Sequence, residues 1–269
     1  MKKSITLMGM SGVGKTTLSR KLPTDKWFHY SGDYRIATYY LKDAIGDFLK
    51  AEAMKVPLLA DLLKSDSIYI GSNLSVDNLA PVSAYIGKLG RADLGGLDLD
   101  TFLRRQHQHL AAEIAACYDI GYFKKRAKDL YGYDYFLHDA GGSLCELDDD
   151  AVIAYVAEQT EFVYLHADDD LAEALTERAL AYPKPLYYNE AFLMQQLKAY
   201  ASRCNISDVT DIQPNDFISF VIPELMKHRR QRYLAIAERH GKIIDARDAL
   251  NVRDEADFLD LLQQTPRAA

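Results

Sequence analysis

Residues 1–17 read MKKSITLMGMSGVGKTT, and the fold turns on how that stretch is understood. An apolar run, Ile5 to Met8, ends at Gly9 and passes through Met10, Ser11, Gly12, Val13 and Gly14 to Lys15, Thr16 and Thr17. Gly9 to Thr16 fits G-x-x-x-x-G-K-[ST] at every fixed position. At average composition, a chain of this length meets that pattern by chance about 1% of the time. The match also stands between a strand-like run and a helix-like run, the context such a loop requires.

In that setting the backbone N–H groups from Ser11 to Thr16 form an anion nest, reinforced by the start of the following helix. This is the Walker A arrangement. It predicts ATP at Gly9, Met10, Ser11, Gly12, Val13, Gly14, Lys15, Thr16 and Thr17, with Lys15 on the β- and γ-phosphates and Thr16 on Mg²⁺. The N/T-K-x-D guanine signature does not occur, which favours ATP over GTP.

Working outward, short apolar runs predict five strands: Ile5–Met8, Trp27–Tyr30, Tyr133–Leu137, Glu161–Leu165 and Lys242–Ile244. Between them the apolar spacing is helical, over Thr16–Leu22, Tyr34–Met54, Thr101–Cys117, Asp169–Leu180, Ala191–Ala201, Phe217–His240 and Glu255–Gln263. Pro223 is expected to bend or divide the longest of these. Alternating strands and helices predict an α/β protein with a five-stranded parallel sheet between helical layers. About a hundred residues separate the second and third strands, far more than one crossover needs. Residues 1–39 and 130–269 are therefore expected to form the core, with 40–129 a helical insertion.

Ligands of such sheets bind beyond the carboxyl ends of the strands. The second strand ends HYSGDYR, which puts Asp33 and Arg35 at that edge; the third ends FLHDAGGS, which adds Asp139, Gly141 and Gly142. Asp139 is expected to support Mg²⁺ with Thr16, and Asp33 to orient an acceptor hydroxyl or take its proton. For each acid the plainer role is a helix N-cap.

With this loop, an Asp after strand two and Gly-Gly after strand three, the chain resembles the shikimate kinase and gluconate kinase group of P-loop kinases. That group stands beside the nucleoside monophosphate kinases. VYLHADDDLAEALTERALAYPKPLYY resembles the fourth strand and lid of that group, with Arg178 in the place of its lid arginine. RQRYLAIAERHGKIIDAR is similar to its last helix and strand. FLRRQHQHLAAEIA offers Phe102, Arg104, Arg105 and Glu113 where the group has a substrate-binding arginine in a Phe-Arg-x-x-Glu setting. The insertion is much longer than in shikimate kinase, and the second strand carries one Asp rather than Asp-x-Asp. The chain also resembles bacterial P-loop ATPases.

The resemblance implies a lid over about 168–190 and transfer of the γ-phosphate of ATP to a small acceptor contacted by Asp33, Arg35, Arg104, Arg105, Gly141 and Gly142. Those arginines suggest an anionic metabolite or a nucleotide. Two other readings are a nucleotide-controlled ATPase switch with a macromolecular partner, and a toxin-like nucleotide-sugar kinase.

Several signals read as plain structure. His107 and His109 are two apart and point to different helix faces, a solvated surface rather than a metal pair. The run KHRRQR from Lys227 to Arg232 is the best anion-binding candidate outside the loop, against a plainer reading as a solvated face. A net charge of −7 argues against a general nucleic-acid binder. Cys117, Cys145 and Cys204 are widely spaced and form no C-x-x-C pair, as expected of reduced thiols in a cytoplasmic protein. The N-terminus is not expected to act as a signal peptide, and no apolar run approaches the roughly 20 residues of a membrane span.

Overall fold

The computed structural model describes residues 3–268. The first strand, β1, covers Ser4–Met8, and Ile5, Leu7 and Met8 in it have no solvent exposure. A run apolar on both faces suits a central strand of a parallel sheet. The short helix α1 (Lys15–Ser19) follows, then β2 (Trp27–Ser31), α2 (Gly32–Arg35), a π-helical turn over 36–40 and α3 (Lys42–Ala53). Helices α4 (Pro57–Lys64) and α5 (Ala80–Ile86) come next, with a two-residue parallel pair, β3 (Lys88–Leu89) and β4 (Gly96–Leu97). The rest of the chain is α6 (Leu99–Tyr131), β5 (Tyr135–Asp139), α7 (Asp150–Gln159), β6 (Glu161–His166), α8 (Asp169–Ala181), α9 (Glu190–Cys204), α10 (Pro214–His240), β7 (Gly241–Asp245), α11 (Ala246–Asn251) and α12 (Glu255–Gln264).

All five expected strands form one parallel sheet in the order β2-β5-β1-β6-β7. Register partners share a face. Phe28 and Tyr30 meet Phe123 of α6, and Tyr164 stacks on Tyr233 of α10. On the other face Trp27 meets Phe258 of α12 and donates to Glu255. The sheet is thus a middle layer with helices on both sides.

Several elements differ from expectation. β5 begins and ends two residues later, so that Asp139 is its last residue. The helix expected over Tyr34–Met54 is broken at Leu41, whose backbone leaves the helical region. Pro223 does not divide α10, which runs unbroken through it.

The helix expected over Thr101–Cys117 is 33 residues long. Asp98 caps its start by accepting from Thr101 N, and the left-handed Gly132 ends it. Its later half lies in the main core through Cys117, Ile120 and Ala127. Phe102 near its start joins a second core with α9 and the first half of α10, while Ala112 and Ala116 join a third with α3 and α5. The boundary at 129/130 therefore falls inside a continuous helix, and α9 packs on the second core rather than on the sheet. Among the described residues no helix is long and apolar enough to cross a membrane.

Candidate functional site

The loop leaving β1 supports the site. Gly9 has φ 149, and a Cβ there would lie 2.9 Å from the carbonyl oxygen of Leu165 on β6. Gly14, with φ 108, turns the chain into α1. Both conformations are open to glycine and strained for other residues. Lys15 folds back across the loop, where Nζ donates to the carbonyls of Gly9 at 2.7 Å and Met10 at 3.3 Å. Burial pulls its pKa below the ordinary lysine value, while Asp139 and Asp33 act in the opposite direction.

Beside it, Thr16 Oγ1 donates to Asp139 Oδ2 at 3.3 Å. The β5 register places Asp139 next to Leu7 of β1 and Ser31 of β2. Asp33 sits in the first turn of α2, but the N-cap there is Ser31, whose side chain accepts from Tyr34 N. The capping role is taken, and the Asp33 carboxylate is free for the cleft. Burial raises its pKa, with Lys15 opposing and Asp139 reinforcing the shift. Asp139 is raised by burial as well, against the pull of Lys15 and Thr16.

These groups line a cleft of about 400 Å³. Ser11, Gly12, Gly14, Lys15, Thr16 and Thr17 form one wall; Ser31, Asp33, Asp139, Ala140 and Gly142 form the floor. Val76 and Leu79, between α4 and α5, close it on another side, and Arg178 reaches it from α8. Arg178 is exposed and makes no ion pair among the described residues; its acidic neighbours Asp168 and Asp169 are engaged by Arg247 and Arg230. Arg178 also borders an adjoining, mostly apolar cleft of about 470 Å³, between α8, the 182–186 segment and α10.

The other expected acceptor arginines are elsewhere. Arg35 Nε donates to Asp119 Oδ2 at 2.7 Å, and its guanidinium lies over Tyr39. Arg105 donates to the carbonyl of Tyr85 between the rings of Phe48 and Tyr85. Arg104 is exposed. None of the three lines the cleft.

A buried polar cluster behind the cleft escaped the sequence reading. Glu113 accepts from Ser143 Oγ at 2.6 Å, and His109 is buried against the ring of Tyr187 rather than solvated. Only His107 of that pair is exposed, paired with Glu190. In the basic run, Arg229 is buried: Nε donates to Glu146 Oε1 at 3.1 Å and Nη2 to the Tyr187 carbonyl at 2.8 Å. Arg230 and Arg232 are spent on Asp169 and Asp148. The signal for the cluster was present. Phe102, Gln106, His109, Glu113, Ala116 and Ile120 follow helical spacing, so three polar residues lie on the buried stripe of α6.

Within this cleft the adjoining Thr16 hydroxyl and Asp139 carboxylate suit Mg²⁺, which takes few protein ligands and completes its shell with phosphates and water. Among the described residues there is no cluster of three or more His, Cys, Asp or Glu suited to a metal. In comparisons with protein-family models, curated proteins and solved structures, the chain matches none.

Proposed function

We propose that the chain is an ATP-dependent phosphotransferase of the P-loop kinase type, which passes the γ-phosphate to a hydroxyl of a small molecule. One observation carries the reading: a single cleft gathers Lys15, the Thr16–Asp139 contact, Asp33 and an unpaired Arg178. A glycine-rich loop at the end of the central strand supports it, because ligands of such sheets sit at that edge.

In this reading Lys15 exchanges its bonds to the Gly9 and Met10 carbonyls for phosphate oxygens. Thr16 and Asp139 would hold Mg²⁺, which neutralises phosphate charge. Asp33 takes the proton of the acceptor hydroxyl as its oxygen bonds to the γ-phosphorus, and the bond to the bridging oxygen breaks to release ADP. Arg178 meets the charge on the transferring group from the lid side. With Arg35 and Arg105 engaged elsewhere, an anionic acceptor would be met by Arg178 and Lys184 instead.

The test is Mg²⁺-ATP turnover in the full chain, alone and with pooled metabolites. Lys15→Ala should lower it by about a thousandfold or more without changing the circular dichroism spectrum. Undiminished turnover would remove the reading. A metabolite that becomes phosphorylated separates a kinase from an ATPase switch, which would respond to a macromolecule left unmodified.

A further inference from the structure

Glu113 has no obvious place in that scheme, and its surroundings give it one. Ser143 occupies Oε2, whereas Oε1 is sealed from solvent and has no hydrogen-bond partner among the described residues. A Cβ built on Gly141 would lie 3.1 Å from this Oε1 and collide with Oδ1 of Asp33. The two carboxyl groups therefore converge on the same face of one glycine. Asp33 opens to the cleft, and Glu113 stands behind it with 3% exposure.

We infer that Asp33 and Glu113 work as one carboxyl pair that holds a single proton through neutral pH, carried by Glu113 on Oε1 and turned toward Asp33. Asp33 then keeps its charge and presents its other oxygen to the cleft. This deepens the kinase reading, on which it rests for the meaning of Asp33; Glu113 is a positioning residue that acts through it.

The surroundings favour the proton on Glu113. Two carboxylates this close do not both ionise readily, and the more deeply buried one is the better place for the neutral form. Burial first, then the charge of Asp33, pushes Glu113 up to about 8, against the hydrogen bond from Ser143. The facing groups leave that balance in place. On α6, His109 is kept neutral by burial, with its pKa drawn down to about 4, and Cys117 is held as the thiol. After β5, Glu146 is tied to Arg229 of α10. Tyr187 of the lid segment and Tyr233 of α10 remain neutral phenols, both pushed up by burial. Lys15 and Asp139 act on the pair from the Asp33 side. Gly141 keeps the two groups together, since any larger residue would wedge between them.

The test follows carboxyl ¹³C resonances of the full chain, labelled at glutamate Cδ, across pH. One signal, absent from Glu113→Gln, should titrate well above the ordinary carboxylate range and move down by about one pH unit or more in Asp33→Asn. If every glutamate titrates in the ordinary range, or the high one ignores Asp33→Asn, the pair does not exist. This readout needs no turnover, so it stands or falls apart from the kinase reading. The role is tested by Mg²⁺-ATP turnover against pH. Parent turnover should decline as pH rises through about 8, where Glu113 gives up its proton; Glu113→Gln, whose amide also donates, should lack that alkaline decline and restore turnover relative to Glu113→Ala. The same alkaline decline in Glu113→Gln would overturn the role.

Discussion

Lys15 and Arg229 are both buried cations beside carboxylates, at 9% and 6% exposure, yet they are held in different ways. Arg229 spends its guanidinium on Glu146 and the Tyr187 carbonyl, joining α10, the turn after β5 and the segment between α8 and α9. Among the described residues Lys15 hydrogen-bonds through Nζ only to carbonyls of its own loop, and it borders the open cleft. The carboxylates near it, Asp33 and Asp139, act through space without binding it. A rigid fork with fixed partners holds structure together; an ammonium bonded to carbonyls of its own loop, at the edge of an open cleft, can exchange them for a ligand. Burial alone does not distinguish the two, but the state of the hydrogen bonds does.

The largest effect should come from the closed member of the comparison. Glu146 has no exposure, and Glu146→Ala leaves Arg229 buried without its counter-charge. The expected cost is about 3 to 5 kcal/mol, read as a lower midpoint in urea unfolding. A loss below about 1 kcal/mol would mean that water replaces Glu146, and the contrast with Lys15 would collapse.

Next come two exposed arginines. Arg178 borders the cleft without an ion pair among the described residues, while Arg104 stands apart from it. Arg178→Ala should lower Mg²⁺-ATP turnover by about a hundredfold or more, whereas Arg104→Ala leaves it unchanged. Both should stay within about 0.5 kcal/mol of the parent in stability. Equal turnover in the two variants would remove Arg178 from the site and with it the lid reading.

The half of the site built on strand ends was legible because local rules place it. Gly9 to Thr16, Asp33 and Asp139 each follow directly from an apolar run, and the edge of a parallel sheet gathers such residues whatever lies between them. Glu113, Ser143, Glu146 and Arg229 were not gathered that way. They meet only because α6 continues for 33 residues into the main core and brings its polar stripe behind Gly141. Arg35 and Arg105 failed for the converse reason. Both lie near the right elements, but Asp119 and the carbonyl of Tyr85 take their donors, and neither partner is adjacent in sequence.

The smallest effect separates the buried groups by sign. Glu113 has a folded pKa of about 8 against an ordinary 4.5, so the folded chain holds a proton that the unfolded chain has lost between those values. Its stabilising contribution is present in full below about pH 4.5 and is lost as pH rises toward 8. His109 and His138 run the other way: burial draws them to about 4 and about 3 from 6.5, and their burden on the fold grows as pH falls below 6.5. Above pH 6.5 both histidines are neutral in either state, which leaves Glu113 still falling until about pH 8. Urea unfolding of parent and Glu113→Gln at pH 6.5, 7.25 and 8 should therefore diverge. The parent slope should be steeper downward by at most about 1.4 kcal/mol per pH unit. Lys15 titrates in both chains, so the difference between slopes reports the Asp33–Glu113 pair. Parallel slopes would place a carboxylate, not an acid, behind Gly141, and the cleft would then hold its charges as openly as Arg229 holds its own closed.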